Sequence, residues 1–173
     1  KINKGESFDI GPSSKEFPFI KRMDANSIIN ATVTLIKEKL PKYTDSHMND
    51  IQVLTPMRKG LLGVERLNTI LQQYLNPPDN KKAEKEYGDR LFRVGDKVMQ
   101  IKNNYDIVCR KPNGNYETGV FNGDIGILTA IDTKTSLVTV NFDGREAIIP
   151  GEYLSELELA YAVTVHKSQG SEF

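Results

Sequence analysis

Apolar residues recur at helical spacing or in compact runs through the first half of the chain, then alternate with polar ones in short stretches. Residues 17–21 (Phe-Pro-Phe-Ile-Lys) read as a short strand, with Pro18 marking an edge or a start. Ile28, Ile29, Val33, Ile36 and Leu40 then share one helical face. Asp24 is placed to cap that helix, and Pro41 is expected to stop it near Leu40. The run Ile51-Gln-Val-Leu-Thr55, ended by Pro56, has the form of a buried parallel strand. After a glycine-bearing loop, Val64, Leu67, Leu71, Tyr74 and Leu75 define a second amphipathic helix, closed by Asn76-Pro77-Pro78. Strand, helix, strand, loop, helix is βαβ-type alternation and implies a right-handed α/β layer.

Residues 79–89 are dense in charge and read as a solvated connector. From Leu91 the pattern becomes one of short strands and turns. Lys97 to Ile101, Ile125 to Ile131, Leu137 to Phe142 and Glu146 to Ile149 form β segments, and Asn113-Gly114 and Asp143-Gly144 are two-residue hairpin signals. So many short strands in so few residues suggest a small SH3-like barrel at 105–153. Leu157 to Val165 returns to the continuous apolar run of one buried strand. The expected division is therefore 1–104, the first part of an α/β domain; 105–153, an inserted barrel; and 154–173, the return to the α/β domain.

Composition narrows the function classes. Net charge is zero, with 14 Lys/Arg against 11 Asp/Glu in residues 1–86 and 9 against 12 in residues 87–173. Neither half is basic enough to bind nucleic acid by bulk electrostatics, so any such binding needs a local groove and placed donors. The single cysteine, Cys109, excludes an internal disulfide framework and a cysteine metal cluster. No apolar run reaches the ~18 residues of a membrane span, and the start shows no signal-peptide pattern, so no membrane partner is expected and the location is read as cytoplasmic.

The chemistry gathers at the end of the chain. The apolar run passes straight into Thr164-Val-His-Lys-Ser-Gln-Gly-Ser-Glu172. Exposed donors just after a buried strand are how α/β proteins hold phosphates and sugars. This row resembles motif V of superfamily 1 DNA helicases, most closely the RecD/TraA type. Asn3-Lys-Gly5 looks like the segment after their motif III. Asp50-Ile-Gln-Val-Leu-Thr-Pro-Met-Arg-Lys-Gly60, with Gly63, Leu67-Asn68, Gln72 and Asn76-Pro77, resembles their motif IV region. Phe92-Arg-Val-Gly-Asp-Lys-Val-Met-Gln-Ile-Lys-Asn-Asn-Tyr-Asp106 is similar to motif IVa, and Val120-Phe-Asn-Gly-Asp-Ile-Gly126 and Phe142-Asp-Gly144 to the inserted SH3-like domain. One departure is the interval from Ile107 to Gly119, longer than the family pattern, which implies a projecting hairpin.

The resemblance implies a partial RecA-like, P-loop-NTPase-type parallel sheet with helices, plus the SH3-like barrel. It implies the second lobe of an ATP-dependent 5′–3′ DNA helicase, active in DNA repair, recombination or conjugation. The sequence has no Gly-x-x-x-x-Gly-Lys-Ser/Thr loop, acidic Walker B or arginine-bearing motif VI, so half an ATP site and no turnover by the chain alone are expected. Mg2+ would accompany ATP on ligands from the first lobe. Single-stranded DNA is the implied partner, joined by further subunits if the assembly is of RecBCD type.

Arg58, just past the strand end at Thr55-Pro56, is the candidate catalytic residue, a γ-phosphate sensor. Its plainer reading is a solvated loop arginine, and Lys59 could serve instead. Glu172 looks like the carboxylate that accepts from the ribose hydroxyls, with Gly170 permitting close backbone approach; it could equally be a carboxylate beside a helix start. Thr164, His166 and Ser168 are candidates for holding DNA phosphates, with Asn103 and Asn104 after the strand ending near Ile101. Tyr105 could stack on a base, although consecutive asparagines are also ordinary turn formers. The rival reading is a non-catalytic module, built on the barrel, that binds nucleic acid or protein.

Overall fold

The computed structural model describes residues 18–168. Asn3 to Gly5, Gln169, Gly170 and Glu172 lie outside them. Helix α1 (Ala25–Thr34) starts where expected: Asp24 accepts a hydrogen bond from the Ser27 amide at 2.9 Å. It does not stop at Pro41. A π-helical turn at Leu35–Lys39 passes the chain into α2 (Leu40–Thr44), with Pro41 in its first turn. The wider turn explains the passage. Leu40 bonds back to Leu35, and Pro41 falls where a missing N–H costs nothing. The helix ends instead at Asp45, in the left-handed conformation. Residues 18–22 form no strand, because among the described residues nothing pairs with them and Phe19 and Ile20 stay exposed.

Strand β1 (Val53–Thr55) pairs in parallel with β11 (Ala162–Thr164), in register Val53↔Ala162 to Thr55↔Thr164. The parallel pairing is as expected, but the burial is not complete: Leu54 keeps 49% of its surface. Helix α3 (Val64–Leu75) buries Leu67 and Leu71 against Ile29, Ile36, Tyr161 and Ala162, closing the smaller core. Each such side chain taken fully from water contributes ~1.5–3 kcal/mol.

The charged connector is not all loop. Strands β2 (Glu84–Tyr87) and β3 (Arg90–Arg93) pair as a hairpin about Gly88, whose φ of 60° suits the tight turn. Arg93 ties it down by binding Glu84 and the Asn76 carbonyl. There follow β4 (Lys97–Gln100), β5 (Asn104–Arg110), β6 (Tyr116–Val120), β7 (Ile125–Asp132), β8 (Leu137–Phe142), β9 (Arg145–Ile149) and β10 (Leu157–Leu159). They make one sheet in the order β10-β4-β7-β8-β9-β5-β6. Among the described strands β10 and β6 do not meet, so the SH3-like sheet stays open rather than closing as a barrel. It draws β4 and β10 from outside residues 105–153. The projecting hairpin is β5–β6, turned at Asn113-Gly114, and Asp143-Gly144 turns β8 into β9.

The expected single strand Leu157 to Val165 is two. The chain leaves the antiparallel sheet at Leu159 and joins the parallel pair at Ala162. Asn68 of α3 fills the break: its amide donates to the Leu159 and Ala162 carbonyls at 2.8 and 3.0 Å, and its carbonyl accepts from Ala162 N at 2.7 Å. A buried carboxamide thus replaces the ladder bonds that a continuous strand would have made.

Gly126 of β7 faces close packing. A Cβ there would lie 2.5 Å from the Asn141 carbonyl oxygen and 2.8 Å from atoms of both Phe142 and Val140. Gly126→Ala is therefore expected to lower stability by about 3 kcal/mol, at the upper end of overpacking costs. Urea unfolding checks this, and an unchanged midpoint would contradict the packing.

Candidate functional site

The carboxyl ends of β1 and β11 open toward the same side, the position where parallel sheets place ligands. Beyond β1 the loop carrying Arg58 is laced to the start of α3. Val64 N donates to the Met57 carbonyl at 3.1 Å, Glu65 N to the Arg58 carbonyl at 3.3 Å, and Gly63 N to the Gly60 carbonyl at 3.1 Å. Beyond β11 the chain turns at once into the short helix α4 (Val165–Ser168). Thr164 accepts the Lys167 amide at 3.2 Å, and Ser168 donates to the Val165 carbonyl at 2.7 Å.

A cavity of about 220 Å3 lies between these ends, and Arg58, Thr164, His166 and Lys167 line it together with Glu65 and Glu158. The structure thus brings together three residues singled out in the sequence, Arg58, Thr164 and His166, on the rim of one pocket. Ser168 follows in the same short helix but is not in the lining. Arg58 donates from Nη2 to Glu158 at 2.8 Å and from Nε to Glu65 at 3.3 Å. The Glu158 charge, then these bonds, holds its pKa above even the usual guanidinium range. Lys167 is pushed down by burial, opposed by Glu158 and assisted by Arg58.

Asn103 and Asn104 belong to a different place, the entry to β5. Asn103 Oδ1 accepts from the Asn122 amide at 2.9 Å, joining two turns of the SH3-like sheet. Asn104 is 7% exposed; it donates to Glu156 at 2.9 Å and accepts from the Asp106 amide at 3.0 Å, so its side chain is spent inside the fold. Tyr105 next to it is exposed and meets Phe121 edge to face, ring centres 5.8 Å apart.

Two residues that matter here were not singled out in the sequence. Glu158 sits inside an apolar run, and its partner Arg58 is 100 positions away. Asp96 is fully buried and accepts from Gln72 and Asn76 of the α3 region, from its own loop at the Arg93 amide, and from the Tyr161 hydroxyl. Lys97 beside it is buried, and among the described residues no carboxylate lies within its hydrogen-bond reach. It donates to the Asn49 and Ile51 carbonyls, and burial pushes it down to about 8 against the pull of Asp50. The described residues include no group of three or more His, Cys, Asp or Glu that could hold a metal ion, and no helix long and apolar enough to cross a membrane.

Residues 67–142 match the family model for the SH3 domain of ATP-dependent RecD-like DNA helicases. The chain is 40% identical to the ATP-dependent RecD2 DNA helicase of Deinococcus radiodurans over 94% of its own length and 24% of that protein. It is 28% identical to the RecBCD enzyme subunit RecD of Buchnera aphidicola subsp. Schizaphis graminum, over 70% of its length and 19% of that protein. It therefore spans no more than about a quarter of these relatives. Among solved structures, a Pif1 helicase from Bacteroides superposes with a TM-score of 0.40 at 18% identity, covering 86% of this chain and 40% of that one. The SH3-domain match and the identity that runs along nearly the whole chain show that it carries the SH3 domain of RecD-like helicases and is homologous to RecD2 and RecD over most of its length.

Proposed function

We propose that the chain serves as the second RecA-like lobe, with its SH3-like sheet, of an ATP-dependent helicase that moves 5′ to 3′ on single-stranded DNA. The observation that carries this reading is the meeting of Arg58, Thr164 and His166 around one cavity at the ends of two parallel strands. A planar guanidinium, a hydroxyl and an imidazole are suited to phosphate oxygens. In this reading Arg58 contacts the γ-phosphate of ATP. Thr164, His166 and Ser168 hold the DNA backbone, and Asn103 adds a contact from the SH3-like sheet. Asn104 contributes by fixing the turn from inside. Glu172 would accept from the ribose hydroxyls with Gly170 beside it. ATP arrives with Mg2+, whose ligands come from the first lobe; the ion stabilises charge on the transferring phosphoryl group. The likeness to a RecBCD enzyme subunit supports an assembly with further subunits, and the reading places it in the cytoplasm.

ATP hydrolysis by the full-length protein, with and without single-stranded DNA and beside residues 1–173 alone, tests this. Strong stimulation by DNA in the whole protein and silence in the isolated chain are the expected results. Turnover by the isolated chain would overturn the two-lobe reading. No turnover by the whole protein would favour a binding module built on the SH3-like sheet.

A further inference from the structure

Arg58 is not loose in its loop, and what holds it comes from the other half of the molecule. Strand β10 is fixed by the SH3-like sheet, with Leu157↔Gln100, Glu158↔Met99 and Leu159↔Val98 in register with β4. From that strand the Glu158 carboxylate leaves the sheet and takes Arg58 Nη2 at 2.8 Å, while Glu65, in the first turn of α3, takes Nε at 3.3 Å. Nε and the Nη2 hydrogen beside it lie along one edge of the guanidinium plane. The two carboxylates therefore take Nε and Nη2. Nη1, at the opposite end, meets no partner among the described residues, and this free end is the one a phosphate would need for a forked contact.

Glu158 is itself held. Arg90 of the β2–β3 hairpin donates to it at 3.5 Å and to the neighbouring Leu157 carbonyl at 2.6 Å. Its side chain is 19% exposed against 57% for Arg58, so the carboxylate is the anchored partner and the arginine the one being aimed. An ion pair with so exposed an arginine adds little to stability. Its consequence is orientation.

We infer that Glu158 is a positioning residue, which aims the free end of the Arg58 guanidinium at the nucleotide phosphate and ties that aim to the SH3-like sheet. This rests on the nucleotide role proposed for Arg58. It gives the family's inserted sheet a direct chemical connection to the ATP site, through one strand and one carboxylate. A shift of β10 moves the guanidinium, and a phosphate drawing on Arg58 pulls on β10 in return.

The test uses the full-length protein with Glu158→Gln, Arg58→Ala and the double variant. It reads steady-state ATP hydrolysis at saturating single-stranded DNA, with DNA affinity in the absence of nucleotide as control. Glu158→Gln is expected to lower kcat about tenfold, within the range that small misplacements of catalytic groups produce. DNA affinity and melting temperature should stay at wild-type values. In the Arg58→Ala background the same substitution should have no further effect, because its route runs through Arg58. Wild-type turnover in Glu158→Gln, or an equal loss with and without Arg58, would overturn the inference. If Arg58→Ala itself turns over normally, the phosphate role of Arg58 falls first, and that failure shows in the single arginine variant.

Discussion

Asp96→Asn is expected to destabilise the fold by about 3 kcal/mol, read as a lower urea midpoint with an unchanged slope. The reason lies in the chemistry of what surrounds it. Oδ1 accepts from Asn76 at 2.7 Å and Tyr161 at 2.9 Å; Oδ2 accepts from Gln72 at 2.6 Å and the Arg93 amide at 2.7 Å. All of these are donors. An asparagine can present only one oxygen, so two of them would face an NH2 group, and a buried donor without an acceptor costs ~1–3 kcal/mol. The Arg93 amide belongs to the backbone and cannot turn away. Against a total of ~5–15 kcal/mol for a domain, the loss is large.

Burial raises the Asp96 pKa, and the four hydrogen bonds only partly restore it. Burial and the Asp96 charge together push Tyr161 far above the ordinary phenol range, which keeps its hydroxyl a donor. The sign of the pH dependence follows. The folded carboxyl holds its proton more tightly than the unfolded one, so Asp96 contributes a stability that declines as pH rises from the ordinary aspartate range through the folded value. The asparagine variant should lack that component. An Asp96→Asn protein within 0.5 kcal/mol of wild type would mean that the network does not join the two cores, whatever its geometry.

That joint also marks what could be read from the sequence. Local signals carried well: Leu67 and Leu71 at helical spacing, the Asp24 cap, and glycine turns at Asn113-Gly114 and Asp143-Gly144 are set by neighbours in the chain. The misreadings share a different cause. Leu157 to Val165 is apolar throughout, and only Asn68, far upstream, decides that it breaks and changes sheets. The Glu84–Tyr87 strand is polar because it is mostly solvated, so its composition resembled a loop. Pro41 reads as a stop, yet it follows a π turn and falls in the first turn of α2, where a proline is tolerated. At the site, Arg58, Thr164 and His166 were legible as residue types at strand ends. Glu158 was not, because nothing in an apolar strand announces a partner 100 residues away.

Arg58→Lys is expected to lower kcat of the full-length enzyme about 100-fold, the scale seen when one preorganised donor is removed from a developing charge. Lysine keeps the charge but not the planar fork, so in the role proposed for Arg58 it cannot hold both carboxylates and still offer paired donors to phosphate. Gly63→Ala reaches the same residue by a separate route. A Cβ at Gly63 would stand 2.5 Å from the Lys59 carbonyl carbon, 2.6 Å from the Arg58 oxygen and 2.7 Å from the Lys59 oxygen, all backbone atoms that cannot swing aside. The loop must move, and Arg58 moves with it. Gly63→Ala should therefore reduce turnover about tenfold although its added methyl group need never touch the nucleotide, in keeping with the cost of ångström-scale misplacement. Combined with Arg58→Lys, the two losses should fall short of their product, since both act on one guanidinium. A folded Gly63→Ala enzyme with wild-type turnover would show that the place of this loop does not matter to hydrolysis, and a fully multiplicative double variant would show that the glycine acts elsewhere.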